Sequence, residues 1–190
     1  MIKIGITAFQ GDVEEHVLAV ERAMEEMGLS GRVLKIREKM EDVDALIIPG
    51  GESTTISSMM LKTGVFDEII RISDDIPIMG TCAGCILLAK EIDDGKAIPL
   101  GLMNMKVKRN AFGRQRESFQ CMLDVDIFDE PLPAVFIRAP IIEKIWGECV
   151  PMAKIDEGIV MARENNKIAL AFHPELTDDT RIHRYFLEML

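Results

Sequence analysis

Ile76-Pro77-Ile78-Met79-Gly80-Thr81-Cys82-Ala83-Gly84-Cys85-Ile86-Leu87-Leu88 decides how the chain is read. Ile76 to Gly80 is a short apolar run of strand type, and a helix-type pattern from Ala83 to Glu91 begins directly behind it. Gly80-Thr81-Cys82-Ala83-Gly84 between them has the form G-x-C-x-G, the context of a nucleophile elbow. Small flanking residues permit a sharp turn, the turn lifts the side chain clear of the sheet, and the helix start stabilises a thiolate. The Ala83 amide then points toward a developing oxyanion.

Upstream, the same alternation repeats. Ile2 to Phe9 reads as a strand ending at Gln10-Gly11. Val13, Val17, Val20, Met24 and Met27 follow at steps of four and three, which predicts one face of a helix that stops near Gly28. Val33 to Ile36 and Val43 to Ile48 are further strands, and Ala-Leu-Ile-Ile in the second suits a strand covered on both faces. Pro49-Gly50-Gly51-Glu52-Ser53 is a tight loop, after which Ser53 or Thr54 is expected to cap a helix to about Lys62. A short helix from Phe66 to Ile72 completes this half. Such an order with short connections predicts a parallel sheet between helix layers.

Downstream of the elbow the pattern changes. Met105 to Arg109, Phe119 to Ile127, Val135 to Arg138, Met152 to Ile155, Gly158 to Ala162 and Ile168 to Phe172 are strand-like, with Glu164-Asn165-Asn166-Lys167 as a hairpin turn. A closing helix places Ile182, Tyr185, Phe186 and Met189 on one face. The expectation is one α/β domain over residues 1–190, a three-layer flavodoxin-like sandwich. Its central sheet is mostly parallel, with an antiparallel extension in the second half.

Composition narrows the function classes. Of 190 residues, 48% are hydrophobic and 28% charged, an ordinary globular balance, and the formal net charge is −10. An acidic chain argues against broad nucleic-acid binding or an anionic membrane surface, since both reward basic residues. No signal-peptide pattern precedes the first strand, and no apolar run reaches the roughly 18 residues of a membrane span. A cytoplasmic setting is expected. Four cysteines, at 82, 85, 121 and 149, do not make a disulfide-dense scaffold.

Cys82 admits three chemical readings. As an elbow nucleophile it needs a base, and Phe172-His173-Pro174-Glu175 at the end of the last core-like strand supplies one. One imidazole nitrogen of His173 can face the thiol and the other the Glu175 carboxylate. As the first cysteine of Cys82-Ala83-Gly84-Cys85, it is also a C-x-x-C at a helix start, the arrangement of thiol–disulfide exchange proteins. A metal site is the third reading; with histidines only at 16, 173 and 183 and no second cysteine pair, no tetrahedral set is complete. A non-enzymatic flavodoxin-like binding domain with an inert cysteine has the same layering. Gly50-Gly51 brings backbone close to a ligand, or is a plain strand-to-helix turn; it is neither a Walker A loop nor a GxGxxG fingerprint.

Taken together, Leu46 to Thr55 (with Gly-Gly-Glu-Ser-Thr-Thr), Gly80 to Gly84, Arg109-Asn110-Ala111-Phe112-Gly113-Arg114-Gln115, Val135 to Pro140 and Phe172 to Asp179 resemble the glutaminase subunits of pyridoxal 5'-phosphate synthase. These form the PdxT-type branch of the class I (triad) glutamine amidotransferases. G-x-C-x-G with H-P-E points only to the superfamily, which includes the imidazole glycerol phosphate synthase glutaminase. The Gly-Gly-Glu-Ser-Thr-Thr and Arg-Asn-Ala-Phe-Gly-Arg-Gln stretches select this branch. The resemblance implies Cys82 as nucleophile, His173 as base and Glu175 as its orienting partner. It implies that Gly51, Glu52, Ser53, Arg109, Ile137 and Arg138 surround L-glutamine and that the Gly51 and Ala83 amides form the oxyanion hole. It further implies a (β/α)8-barrel synthase partner in a complex of twelve and twelve subunits, and no metal or other cofactor. Cys85 departs from the family, which carries an apolar residue there; it reads as a small hydrophobe, with an oxidised Cys82–Cys85 pair left open.

Overall fold

The computed structural model describes residues 1–112 and 117–190; Gly113, Arg114 and Gln115 of the Arg109 to Gln115 stretch lie outside the described residues. Strand β1 (Ile2–Thr7) leads through helix α1 (Val13–Glu26) to β2 (Gly31–Ile36) and β3 (Ala45–Ile48). Helices α2 (Ser53–Thr63) and α3 (Val65–Ile72) follow, broken by Gly64 in the left-handed conformation, and lead to β4 (Ile78–Thr81) and α4 (Ala83–Leu88). The second half contains β5 (Ala89–Ile92), β6 (Met103–Lys108), β7 (Ser118–Leu123), β8 (Leu132–Ile137), β9 (Ile141–Ile145), β10 (Val150–Ile155), β11 (Gly158–Glu164), β12 (Lys167–Leu170) and α5 (Arg181–Leu187).

Among the described residues the main sheet runs β2-β1-β3-β4-β12-β11-β9-β6-β5, with β10 paired to β11. From β2 to β12 every pairing is parallel, and from β12 to β6 the sheet continues antiparallel. The mostly parallel sheet with an antiparallel extension is therefore present. Period-two alternation explains the layers: Ala45 and Ile47 of β3 face one core with α1 and α5, while Leu46 and Ile48 face the other with α2, α3 and α4. All four residues are buried, as a strand covered on both faces requires. Asn165, at φ 53, turns β11 into β12 with Glu164 opposite Lys167, the expected hairpin. No helix among the described residues is long and apolar enough to cross a membrane.

Three local expectations are corrected. Helix α4 ends at Leu88 instead of Glu91, because the carbonyls of Leu87 and Leu88 accept from the amides of Leu100 and Leu102, at 2.7 and 3.0 Å. Ala89 then turns extended (φ −65, ψ 153) and β5 pairs with β6. The cap of α2 is Glu52, whose carboxylate accepts from the Thr54 amide at 3.2 Å, and not Ser53 or Thr54. Strand β9 has no counterpart in the sequence reading, since Ile-Ile-Glu-Lys-Ile does not alternate and follows Pro140.

Beside the main sheet, β7 and β8 form a two-stranded ribbon whose apolar face closes the first core. Phe136 of β8 is fully buried, stacked on Phe119 at 4.6 Å and tilted against Phe172 at 5.7 Å. The ribbon thereby holds the segment that ends in His173: the His173 amide donates to the Val135 carbonyl at 2.8 Å. Phe136→Ala is expected to lower unfolding stability by about 3–5 kcal/mol, read from the denaturation midpoint of the chain.

Candidate active site

Strand β4 delivers Cys82 into a conformation that L-residues rarely adopt, with φ 49 and ψ −102. The strain is held from both sides. The Cys82 amide donates to Leu170 of β12 at 2.8 Å, and its carbonyl accepts from the Ile86 amide at 3.2 Å. The glycines of G-x-C-x-G are fixed by packing. A Cβ on Gly84 would lie 1.9 Å from the Ile48 carbonyl oxygen, and one on Gly80 would lie 2.6 Å from the Gly84 carbonyl. Cys82 keeps 8% of its surface exposed, and its thiol donates to the Ile137 carbonyl at 3.8 Å.

Cys85 points the other way. It is wholly buried in the core on the α2–α4 side, and burial, with the charges of Cys82 and Cys149, pushes its thiol far above the ordinary range. Exchange chemistry needs thiolate character, which this environment suppresses. The position behaves as a small core hydrophobe, and Cys82 and Cys85 are not joined by a disulfide.

Behind β12 the chain turns His173 toward Cys82 and Glu175 back toward His173. Nδ1 of His173 lies 2.7 Å from Glu175 Oε1, which leaves Nε2 for the Cys82 thiol. Burial works against an imidazolium here. Hydrogen bonding to Cys82 and Glu175, and their charges, outweigh it and raise His173 to about 10. Burial also raises the Glu175 carboxyl, against the opposing hydrogen bond and charge of His173. Asp12 adds a second carboxylate 3.3 Å from His173 Nδ1. Asp12, His173 and Glu175 bring metal-type ligand atoms within 4.8 Å of one another. A cation bound there would break the contact that orients the imidazole.

Cys82 and His173 open into a cavity of about 380 Å³. Gly51, Glu52, Ser53, Arg109, Ile137 and Arg138, all expected from the sequence, line it as well. Glu175 and Ala83 lie behind the lining, both buried. Arg109 is committed to two carboxylates, Glu52 Oε1 and Asp94 Oδ2, each at 2.9 Å. Glu52 spends the same Oε1 on the Thr54 amide and hydroxyl. Arg138 is exposed, at φ 45. Burial raises the Glu52 carboxyl, but the Thr54 hydrogen bonds, followed by the charges of Arg109 and Arg138, hold it below its ordinary value. Ser53 Oγ is buried and unpartnered among the described residues. Gly51 sits at φ 134, a conformation glycine tolerates, and Gln10 Oε1 clamps the following peptide by accepting from the Glu52 amide at 2.9 Å.

The sequence reading missed five lining residues, Gln10, Gly11, Asp12, Ile86 and Asn110. Gln10 and Asp12 flank Gly11 in the loop after β1, and a polar pair just past a strand's carboxyl end in a parallel sheet is a usable signal.

The profile described as the SNO glutamine amidotransferase family matches residues 6–190. The chain belongs to this family. Among its relatives, "Pyridoxal 5'-phosphate synthase subunit PdxT" of Staphylothermus marinus is 49% identical over 203 residues, covering 100% of this chain and 98% of that one. The protein of the same description from Thermococcus kodakarensis is 49% identical, covering 98% of each. A solved structure described as a glutamine amidotransferase superposes with a TM-score of 0.86 at 40% identity, covering 98% of this chain and 97% of that one. A chain of the PurLQS structure from Thermotoga maritima, at 17% identity and a TM-score of 0.67 over 98% of each chain, shares the fold. Family membership and the packing of the elbow make one expectation sharp. Gly84→Ala should cost at least about 3 kcal/mol, because the atom it meets is backbone and cannot swing away; equilibrium unfolding measures it.

Proposed function

We propose that residues 1–190 form a single class I glutamine amidotransferase domain, the glutaminase subunit of a pyridoxal 5'-phosphate synthase. It hydrolyses L-glutamine to L-glutamate and ammonia and passes the ammonia to a partner synthase. The observation that carries this reading is the joining of strained Cys82 to the His173–Glu175 pair at one cavity. The full-length PdxT relatives support the choice of pathway.

The Cys82 thiolate attacks the side-chain amide carbon of glutamine. A C–S bond forms, the carbonyl π pair moves onto oxygen, and the Gly51 and Ala83 amides hold that oxyanion. As the tetrahedral species collapses, the C–N bond breaks and His173 Nε2 gives its proton to the departing ammonia. His173 then takes a proton from water, which attacks the γ-glutamyl thioester and releases glutamate and the thiol. Glu175 orients the imidazole and stabilises its charged form. At the substrate's other end, Arg138 faces the α-carboxylate, since Arg109 is already paired with Glu52 and Asp94. Glu52 takes the α-ammonium, Ser53 supplies a hydroxyl, and Ile137 forms an apolar wall. These steps use only the chain's own groups and water. The partner is a (β/α)8-barrel protein that joins ammonia to ribose 5-phosphate and glyceraldehyde 3-phosphate, in a cytoplasmic complex of twelve and twelve subunits.

Cys82→Ala is expected to reduce glutamine-dependent synthesis by the complex below about one per cent, while ammonium salt restores pyridoxal 5'-phosphate formation. Failure of that rescue in an assembled complex would give this chain a role beyond nitrogen release. Cys85→Leu keeps glutaminase activity in the same assay. Steady-state kinetics should also rank Glu175→Gln above His173→Ala in kcat, because the carboxylate orients the base but exchanges no proton with substrate.

A further inference from the structure

All three histidines of the chain are linked, His183 to His16 directly and His16 to His173 through Glu175, and only His173 has a role in the steps above. His16 of α1 and His183 of α5 are each fully buried. His16 Nε2 lies 3.3 Å from Glu175 Oε2 and 3.0 Å from Thr81 Oγ1, and His16 Nδ1 lies 3.2 Å from His183 Nε2. Glu175 Oε2, the oxygen turned away from His173, is itself buried and has no well-formed hydrogen bond.

We propose that His16 is a positioning residue for glutamine hydrolysis, tying the Glu175 carboxylate to Thr81, the residue before the nucleophile, with His183 fixing its ring. The inference rests on the triad reading of Cys82, His173 and Glu175. One imidazole then spans the two arms that must stay in register, the end of β4 and the turn after β12.

Hydrogen-bond accounting selects the tautomer. With the proton on Nε2, His16 donates to Thr81 Oγ1 and turns the positive end of that N–H dipole toward Glu175 Oε2 at 3.3 Å, while its Nδ1 accepts from His183 Nε2–H. His183 Nδ1, also unpartnered among the described residues, is then a lone-pair acceptor. The opposite tautomer sets a lone pair of His16 against the carboxylate and leaves His183 Nδ1–H as a buried orphan donor, the costlier arrangement. Burial keeps both rings neutral, lowering His183 to about 4 and His16 well below its ordinary value, with His183 and His173 adding to the effect on His16. A neutral donor steadies the carboxylate without competing with the imidazolium of His173 for its charge. An apolar side chain in either histidine's place would pack without this polar cost, so a purely structural role gives no reason for the pair.

The test is glutaminase kinetics of the assembled synthase complex with His16→Gln and His16→Asn. Glutamine carries its amide nitrogen near the position of Nε2, and asparagine near that of Nδ1. His16→Gln is expected within about threefold of the unsubstituted complex in kcat. His16→Asn is expected to lose about 10- to 100-fold in kcat with KM within about twofold, by analogy with the scale seen when hydrogen-bond partners of metal-ligating histidines are removed. Equal kcat in the two folded variants would overturn the proposal, as would a loss carried by KM. If His16→Asn does not fold, His183→Phe decides: a kcat fall of at least about threefold at unchanged KM supports the tie, and an unchanged kcat overturns it. An inactive unsubstituted complex would instead overturn the triad reading itself.

Discussion

The first turn of α4 lies so close to the end of β3 that Gly84 leaves no room for a methyl group before the Ile48 carbonyl. That approach sets the height at which the chain leaves β4, and Cys82 takes up the difference as a backbone strain at φ 49. In the proposed mechanism, every catalytic distance is measured from this point. The Leu170 carbonyl pins the Cys82 amide, so the same strand that leads to His173 also fixes Cys82. A reactive side chain held this way needs no rearrangement before it attacks, which is the value of a preorganised site.

Charge is arranged around that point in two directions. Toward the cavity, Arg109 is locked between Glu52 and Asp94, while Arg138 lines the cavity and is exposed. Toward the interior, the imidazole of His173 is backed by Glu175 and, through it, by His16 and His183. The interior side is buried and the cavity side is open, so polar contacts behind the base are stronger and less tolerant of loss.

Much of this was legible in the residues. Ala-Leu-Ile-Ile announced a strand covered on both faces, the valine and methionine spacing announced α1, and G-x-C-x-G between strand and helix announced the elbow. Other features could not be read locally. Ala89-Lys90-Glu91 consists of good helix formers, yet the carbonyls needed to continue α4 are taken by Leu100 and Leu102. Strand β9 lacks alternation because its pairing to β6 and β11, and not its own pattern, defines it. His16 reads as one more position on an amphipathic face, since its partner His183 is 167 residues away. Glu52 reads as a loop charge until the fold brings Arg109 to it from 57 residues further on.

The central claim is that Cys82 forms a covalent bond to the glutamine side-chain carbonyl. Acid quenching of the complex during turnover, followed by peptide mass spectrometry, tests it most directly. The account predicts a γ-glutamyl group on the Cys82 peptide that disappears once glutamine is exhausted. Turnover with Cys82 unmodified, or with the adduct on another residue, would contradict it.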